Sequence, residues 1–223
     1  MRQGRTGSVR LSPSTWSSLG REKGSALVKP LILASTSRFR AAVLERLGVA
    51  FRCQAPDFAE DDPGGLSPVE LAQAFARGKA RSISGEGLVI GADQVLEFEG
   101  RVLRKPHGLE GAAQQLHELA GRSHTLHSAL AVWDPERGRL EEGVTSVQLT
   151  VRPLTLEQAT LYVGLDQPLG SVGGYTYEQR GIGLFTRMAG GDDSAVLGLP
   201  LIELVHLLER HGWDLLAAWR EPK

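Results

Sequence analysis

The chain is poor in cysteine: Cys53 is the single one in 223 residues. That excludes an internal disulfide framework and any multi-cysteine zinc site, and it fits a reducing, cytoplasmic setting. It is also poor in net charge, with 25 Lys and Arg against 26 Asp and Glu. No global field therefore argues for nucleic-acid or membrane partners, and any anion site must be built from a few placed cations. No apolar run approaches the roughly 20 residues that span a bilayer, and no apolar signal core stands near the start. The signatures of several nucleotide and metal enzymes are missing too. There is no G-x-x-x-x-G-K-[ST] phosphate loop and no H-E-x-x-H, and Gly181-Ile182-Gly183 lacks the third glycine of a dinucleotide fingerprint. The six histidines form no ligand set. Internal repeats are absent. We expect Cys53 to be ordinary core.

What is present begins with a composition shift. Residues 1–29 are rich in Ser, Gly and Arg and carry one acid, Glu22, among six Lys and Arg. This reads as a disordered extension, and such a start fits either an organellar transit peptide or an initiation site placed too early, the latter being our expectation. Residues 30–223 form the folded domain, long enough for one larger unit or two lobes around a cleft.

Within it, strand and helix signals alternate. Leu31-Ile32-Leu33-Ala34 is an apolar run that breaks into Ser35-Thr36-Ser37-Arg38-Phe39-Arg40. Phe39, Val43 and Leu47, with Ala42 beside them, mark a helix stopped at Gly48, and a strand follows over 49–54. Ser67-Pro68-Val69-Glu70 is a capping box opening a helix with Ala72, Phe75, Ala76, Ala80 and Ile83 on its buried face. Residues 88–92 read as a central strand with Asp93 and Gln94 at its end, and 95–99 with 101–103 as a small hairpin. Leu109, Ala112, Ala113, Leu116 and Leu119 predict another helix. Residues 124–134 and 140–151 predict a long hairpin, and Thr155 to Gln158 a second capping box for a helix reaching Val163. Residues 164–191 are Gly-rich and irregular, and 195–211 predict a closing helix. Such a pattern implies an α/β fold: a mixed, twisted sheet with flanking helices.

The chemistry-bearing residues gather at strand ends and loops. A strand-to-helix turn offers backbone N–H groups and a positive helix end, so 35–40 suits an anion as well as it suits plain capping. Asp93, polar at the end of an apolar strand, can orient a water or hold a metal. The acidic loop with Asp57, Glu60, Asp61 and Asp62 can supply a hard oxygen ligand. Arg40, Lys79 and Lys105, the last fixed in direction by Pro106, could meet these carboxylates in the balance that a triphosphate and a metal require.

Taken together, Leu33-Ala34-Ser35-Thr36-Ser37-x-x-Arg40, the loop ending in Glu60, Lys79, Gly91-Ala92-Asp93-Gln94-Val95, Lys105-Pro106, Leu119-x-Gly121-Arg122-x-His124 and Gly198-Leu199-Pro200-Leu201 resemble the Maf family of nucleoside triphosphate pyrophosphatases. The resemblance covers residues 31–212. It implies two lobes around a central cleft, a Maf/ITPase-like fold, a divalent metal cation (Mg²⁺ or Mn²⁺), a small-molecule nucleotide substrate, and a homodimer as one form. It also implies roles: Asp93 as the proton acceptor, Glu60 and Asp93 on the metal, and Ser35, Arg40, Lys79 and Lys105 on phosphate oxygens. Ala41 departs from the motif, which usually has a second arginine there.

Phe39, Gln94 and Glu178 resemble the specificity set of the branch that acts on 7-methyl-GTP. N7-methylation puts positive charge on guanine, which an aromatic face attracts, and a carboxylate accepts two hydrogen bonds from the guanine edge. Phe39 also fits the apolar face of its helix as plain core. The expectation is a metal-dependent pyrophosphatase releasing 7-methyl-GMP and pyrophosphate. The alternatives are the same reaction on dTTP, UTP or other noncanonical nucleotides, and a nucleotide-binding regulator of cell division that hydrolyses nothing.

Overall fold

The computed structural model describes residues 29–62 and 64–220. The extension expected over 1–29 lies outside the described residues except for Lys29. Its ammonium sits 2.7 Å from both Asp134 and Glu136, and its carbonyl accepts from the Trp213 indole. In chain order the elements are β1 (Leu31–Ala34), α1 (Arg38–Glu45), β2 (Phe51–Gln54), α2 (Pro68–Arg81), β3 (Leu88–Phe98), β4 (Arg101–Leu103), α3 (Gly108–Leu119) and β5 (Ser123–Asp134). They continue with β6 (Arg139–Val151), α4 (Leu156–Asp166), a 3₁₀ turn (Arg180–Leu184), β7 (Phe185–Ala189), α5 (Asp193–Val196), α6 (Leu201–Arg210) and α7 (Leu215–Ala218).

The seven strands form one mixed sheet ordered β2-β1-β3-β5-β6-β7, with β4 also paired to β3. β1 runs parallel to β2 and β3, and the other pairs are antiparallel. The register along β3 matters most. β5 occupies one edge of it from Val89 to Glu97. On the other edge β1 pairs only with Leu88, Val89 and Ile90, and β4 only with Leu96, Glu97 and Phe98. Residues 91–95 therefore have no strand beside them on that edge, and the sheet is open there.

Packing divides at the same place. On one face of β3, Leu88, Ile90 and Ala92 join Val43 and Leu44 of α1 and Leu204, Leu207 and Leu208 of α6 in one apolar cluster. Further along that face Leu96 and Phe98 join Ala112, Leu116 and Leu119 of α3 and Ala159 and Val163 of α4 in another. Gln94 lies between the two, so the expected pair of lobes meets at this strand. The opposite face carries α2, whose Ala72, Phe75 and Ala76 pack with Val95, Ala129 and Ala131. α2 opens with the expected capping box: the Ser67 hydroxyl accepts from the Glu70 amide, and the Glu70 carboxylate accepts from the Ser67 amide at 2.8 Å. A cap of this kind stabilises a helix by about 1 kcal/mol.

Several expectations need correction. Asp93 and Gln94 stand inside β3, a continuous 11-residue strand, rather than at its end. It is β1 that stops beside them. Cys53 is exposed, on the edge strand β2, whose residues 52–54 all face solvent. Ala42 is exposed and Leu44 takes its place in the core; Leu109 is exposed as well. The irregular stretch 164–191 contains the 3₁₀ turn and β7, a short edge strand with Thr186, Arg187 and Met188 exposed in succession, which carries little periodic signal. The closing helix is two helices, because Gly198 adopts φ +84° and Pro200 restricts the residue before it.

Candidate active site

The turn after β1 is built by its own hydroxyls. The buried Ser35 Oγ accepts from the Ser37 amide at 3.1 Å, and Ser37, the N-cap of α1, accepts from the Arg40 amide at 3.4 Å. These bonds fix where the first turn of α1 sends its side chains. The Arg40 guanidinium turns inward, its Nε donating to the Gly198 carbonyl at 3.1 Å. Burial lowers the pKa of Arg40 from its ordinary value, against the pull of Asp93 and Glu60, and a guanidinium stays charged even so. Phe39 is half-buried and joins none of the apolar clusters, so the plain-core reading does not hold. The Arg38 guanidinium lies 4.9 Å from the centre of its ring. Ala41 packs against the α1–α6 cluster, and Arg38, engaged with Phe39, does not take the place of a second inward arginine.

The centre of the site is an ion-pair network between α2, β3 and the acidic loop. Lys79 is buried, with Nζ 2.6 Å from Asp93 Oδ1 and 2.6 Å from Glu60 Oε1. Two glycines make this possible. A side chain at Gly91 would put its Cβ 2.1 Å from the Ala76 carbonyl oxygen, so α2 rests directly on β3 and brings Lys79 over Asp93. At Gly78 a Cβ would meet the Phe58 ring at 2.1 Å. Phe58 seated there, edge-on to Phe75, anchors the loop that carries Glu60. Arg104 pairs with Asp62 at 2.6 Å and ties the same loop to the segment bearing Lys105.

Burial pushes the Asp93 carboxyl above the usual carboxylate range, with Glu60 adding to the effect and Lys79 and Arg40 opposing it. A carboxylate tuned upward in this way is suited to accept a proton near neutral pH. Partial burial acts the same way on Glu60, but its hydrogen bond to Lys79 and the fields of Lys79, Arg40 and Lys105 outweigh it and hold the group below its ordinary value. Lys105 is exposed and reaches the site through that field. The structure thus brings together Arg40, Lys79, Lys105, Glu60 and Asp93, three cations around two carboxylates.

On the other face of β3, the Gln94 amide nitrogen donates to Ser128 Oγ at 2.8 Å and to the carbonyls of Ala195 and Val196 at 2.9 and 3.0 Å. Ser128, paired with Gln94 across β3 and β5, spends its own proton on the Ala195 carbonyl at 2.7 Å. Every neighbour of that nitrogen is therefore an acceptor, which fixes the orientation of the amide. Gly198 approaches both Arg40 and Gln94: a Cβ there would be 3.5 Å from Arg40 Nε and 3.8 Å from Gln94 Cδ. Glu178 is exposed on the segment before the 3₁₀ turn. Among the described residues its field acts on Tyr162, and no hydrogen bond or ion pair joins it to the network around Asp93.

A metal can be weighed against these donors. Among the described residues no three His, Cys, Asp or Glu side chains converge in a way that could hold an ion. Glu60 and Asp93 do converge as a pair, on one lysine nitrogen. Two carboxylates suit Mg²⁺, which commonly takes its remaining ligands from substrate phosphates and water. Sequence reasoning missed Phe58, Gly78, Ser128 and the contact of Gly198, all of which act by supporting a functional residue. Of these, only the glycines carried a signal, being unusual in a helix or at a break.

The sequence model of the family described as Maf-like protein matches residues 30–211. A 7-methyl-GTP pyrophosphatase of Syntrophotalea carbinolica is 38% identical over 193 residues, covering 85% of this chain and 98% of that protein. One of Bdellovibrio bacteriovorus is 40% identical over 185 residues, covering 81% and 96%. Another, of Pseudomonas putida, is 38% identical over 186 residues, covering 82% and 97%. Among solved structures the Staphylococcus aureus Ham1 protein superposes on 55% of this chain and 72% of its own at 15% identity and a TM-score of 0.38, a likeness too slight to bear on function.

Proposed function

This chain belongs to the Maf-like family, and from that premise we propose that it is a metal-dependent pyrophosphatase that cleaves the α–β phosphate bond of 7-methyl-GTP, giving 7-methyl-GMP and pyrophosphate. The observation that carries the reading is the convergence of Asp93, Glu60, Arg40, Lys79 and Lys105 at the open edge of β3. The relatives named 7-methyl-GTP pyrophosphatase supply the choice of nucleotide.

In this mechanism Asp93 takes a proton from the attacking water as the water oxygen bonds to the α-phosphorus. The bond from that phosphorus to the bridging oxygen breaks, and pyrophosphate leaves with the electron pair. Arg40, Lys79 and Lys105, with the Ser35 hydroxyl, hold phosphate oxygens and offset the charge that builds on the leaving group. A divalent cation held by Glu60 and Asp93 would add charge neutralisation and polarise the phosphate oxygens. Asp93 and Gln94 occupy opposite faces of β3 at its open edge, which suits a nucleotide with its phosphates on one side and its base on the other.

For the base, Phe39 offers a ring that already contacts a planar, delocalised cation in Arg38, the property that a 7-methylguanine ring shares. Gln94, with its nitrogen committed inward, offers its carbonyl oxygen to an N–H donor. Glu178 belongs to this set by resemblance. Steady-state kinetics test the assignment. Phe39→Leu should raise KM for 7-methyl-GTP by roughly two- to thirtyfold, the span of a cation–π contact, and leave KM for dTTP near wild type. Equal effects on both nucleotides would remove Phe39 from base recognition. Chromatographic identification of 7-methyl-GMP with pyrophosphate supports α–β cleavage, and 7-methyl-GDP with phosphate contradicts it.

Ala41 favours a second reading, a protein that binds nucleotide without turning it over, since a small residue packs where the family motif usually has an arginine. Absence of metal-stimulated hydrolysis for every nucleotide tried would select it.

A further inference from the structure

One ammonium holds both of the carboxylates that the proposed function assigns to the metal. Lys79 Nζ is 2.6 Å from an oxygen of Asp93 on β3 and 2.6 Å from an oxygen of Glu60 on the acidic loop, with the lysine side chain buried between them. A cation bound to these oxygens must displace it or share them with it. From this we infer that Lys79 is an internal counter-cation that closes the metal-binding carboxylates in the nucleotide-free protein, and that the ligand which opens the site is a metal–triphosphate complex rather than the free metal. The inference rests on the assignment of Glu60 and Asp93 to the metal.

Charge decides the order of events. Arg40 acts on both carboxylates and Lys105 on Glu60, so two negative charges already face three positive ones. A free divalent cation entering there meets net repulsion. It must also push the Lys79 ammonium out of its ion pairs with no other anion to receive it, and a buried charge stripped of its partner is strongly unfavourable. A metal–triphosphate complex reverses both terms. It remains anionic, so the cationic surroundings attract it, and its phosphate oxygens give Lys79 a new partner as the carboxylates turn to the metal.

The geometry allows the exchange without moving the backbone. α2 is pinned on β3 at Gly91, so the Lys79 Cα is fixed, and the exchange falls to its flexible four-carbon stem. Glu60 sits on a loop with its side chain 54% exposed, so it can follow. The same lysine therefore guards the carboxylates in the empty site and binds phosphate in the loaded one. The family resemblance assigns it only the second task.

The test is Mn²⁺ binding to the nucleotide-free chain, read by the EPR signal of free Mn²⁺ at pH 8. Lys79→Gln removes the charge while keeping a polar side chain of similar reach, and should tighten nucleotide-free Mn²⁺ binding by about tenfold or more, a modest fraction of the electrostatic interaction lost. Lys79→Arg keeps the charge and should bind Mn²⁺ as weakly as wild type. If Lys79→Gln does not fold, Lys79→Met takes its place. Unchanged or weaker Mn²⁺ binding in the neutral variant overturns the inference, as does equal tightening in Lys79→Arg. Pyrophosphate release from 7-methyl-GTP by wild type, measured alongside, keeps the two readings apart. Turnover with unchanged Mn²⁺ binding in the variant rejects only the counter-cation, and tightened binding with no turnover rejects only the proposed reaction.

Discussion

Asp93 is held where its charge is poorly solvated, and this has opposite consequences for activity and stability. Its folded pKa is raised above the unfolded value. The stability it contributes is therefore fully present below the unfolded pKa and is lost as pH rises through the folded pKa. Activity runs the other way, because a proton acceptor must be ionised, so kcat/KM should climb as pH rises through the same folded value. Asp93→Asn separates the two. We expect kcat to fall about 10²- to 10⁴-fold, the usual contribution of a positioned base, and the melting temperature at pH 7 to equal or exceed that of wild type. A lower melting temperature would mean that ionised Asp93 contributes more to the fold through Lys79 and Arg40 than burial takes away. Residue types at this scale were legible. Asp93 and Arg40 are charged groups at breaks in apolar patterns, Glu60 stands out among the acids of its loop only by the family resemblance, and the structure brings these three together with Lys79 and Lys105. Glu178 was not legible in that way, since neither its sequence neighbours nor any described contact ties it to the network.

At the scale of elements, one glycine sets the distance between α2 and β3. The Ala76 carbonyl oxygen would be 2.1 Å and the Ala80 amide 2.7 Å from a Cβ at position 91, and both are backbone atoms that cannot swing aside. Gly91→Ala should destabilise the protein by about 1–3 kcal/mol, the range of overpacked cores, read by denaturant unfolding. It should also lower kcat by moving Lys79 away from Asp93. Loss of stability with full kcat would show that the network does not depend on this contact. Most elements could be read from periodicity and capping, as at Ser67 and Thr155, where hydroxyl and N3 side chain are both visible in the sequence. The strand through Asp93 was cut short because a polar residue ends an apolar run on paper. In the sheet it merely marks where β1 stops and the edge opens, which depends on pairing between segments distant in the chain. The closing helix was read as continuous because the apolar spacing on either side of Gly198 and Pro200 stays in phase.

Across the whole molecule, the site lies on a strand shared by two apolar clusters, between Ala92 in the first and Leu96 in the second. Around it the sheet is open on one edge, α2 closes one face, and α5 reaches Gln94 from the other. No helix among the described residues is long and apolar enough to cross a membrane. His124, part of the motif shared with the family, serves this scale rather than the chemistry. Burial lowers its pKa to about 4, and its Nε2 meets the Tyr175 hydroxyl at 2.8 Å within the second cluster's aromatic contacts. We expect this junction to hydrolyse 7-methyl-GTP in preference to other nucleotides. The most direct test is the initial rate of pyrophosphate release by the purified chain from 7-methyl-GTP, GTP, dTTP and UTP, each with Mg²⁺ and with Mn²⁺. Metal-stimulated release should be fastest for 7-methyl-GTP, and equal or faster turnover of dTTP or UTP would rule out that preference.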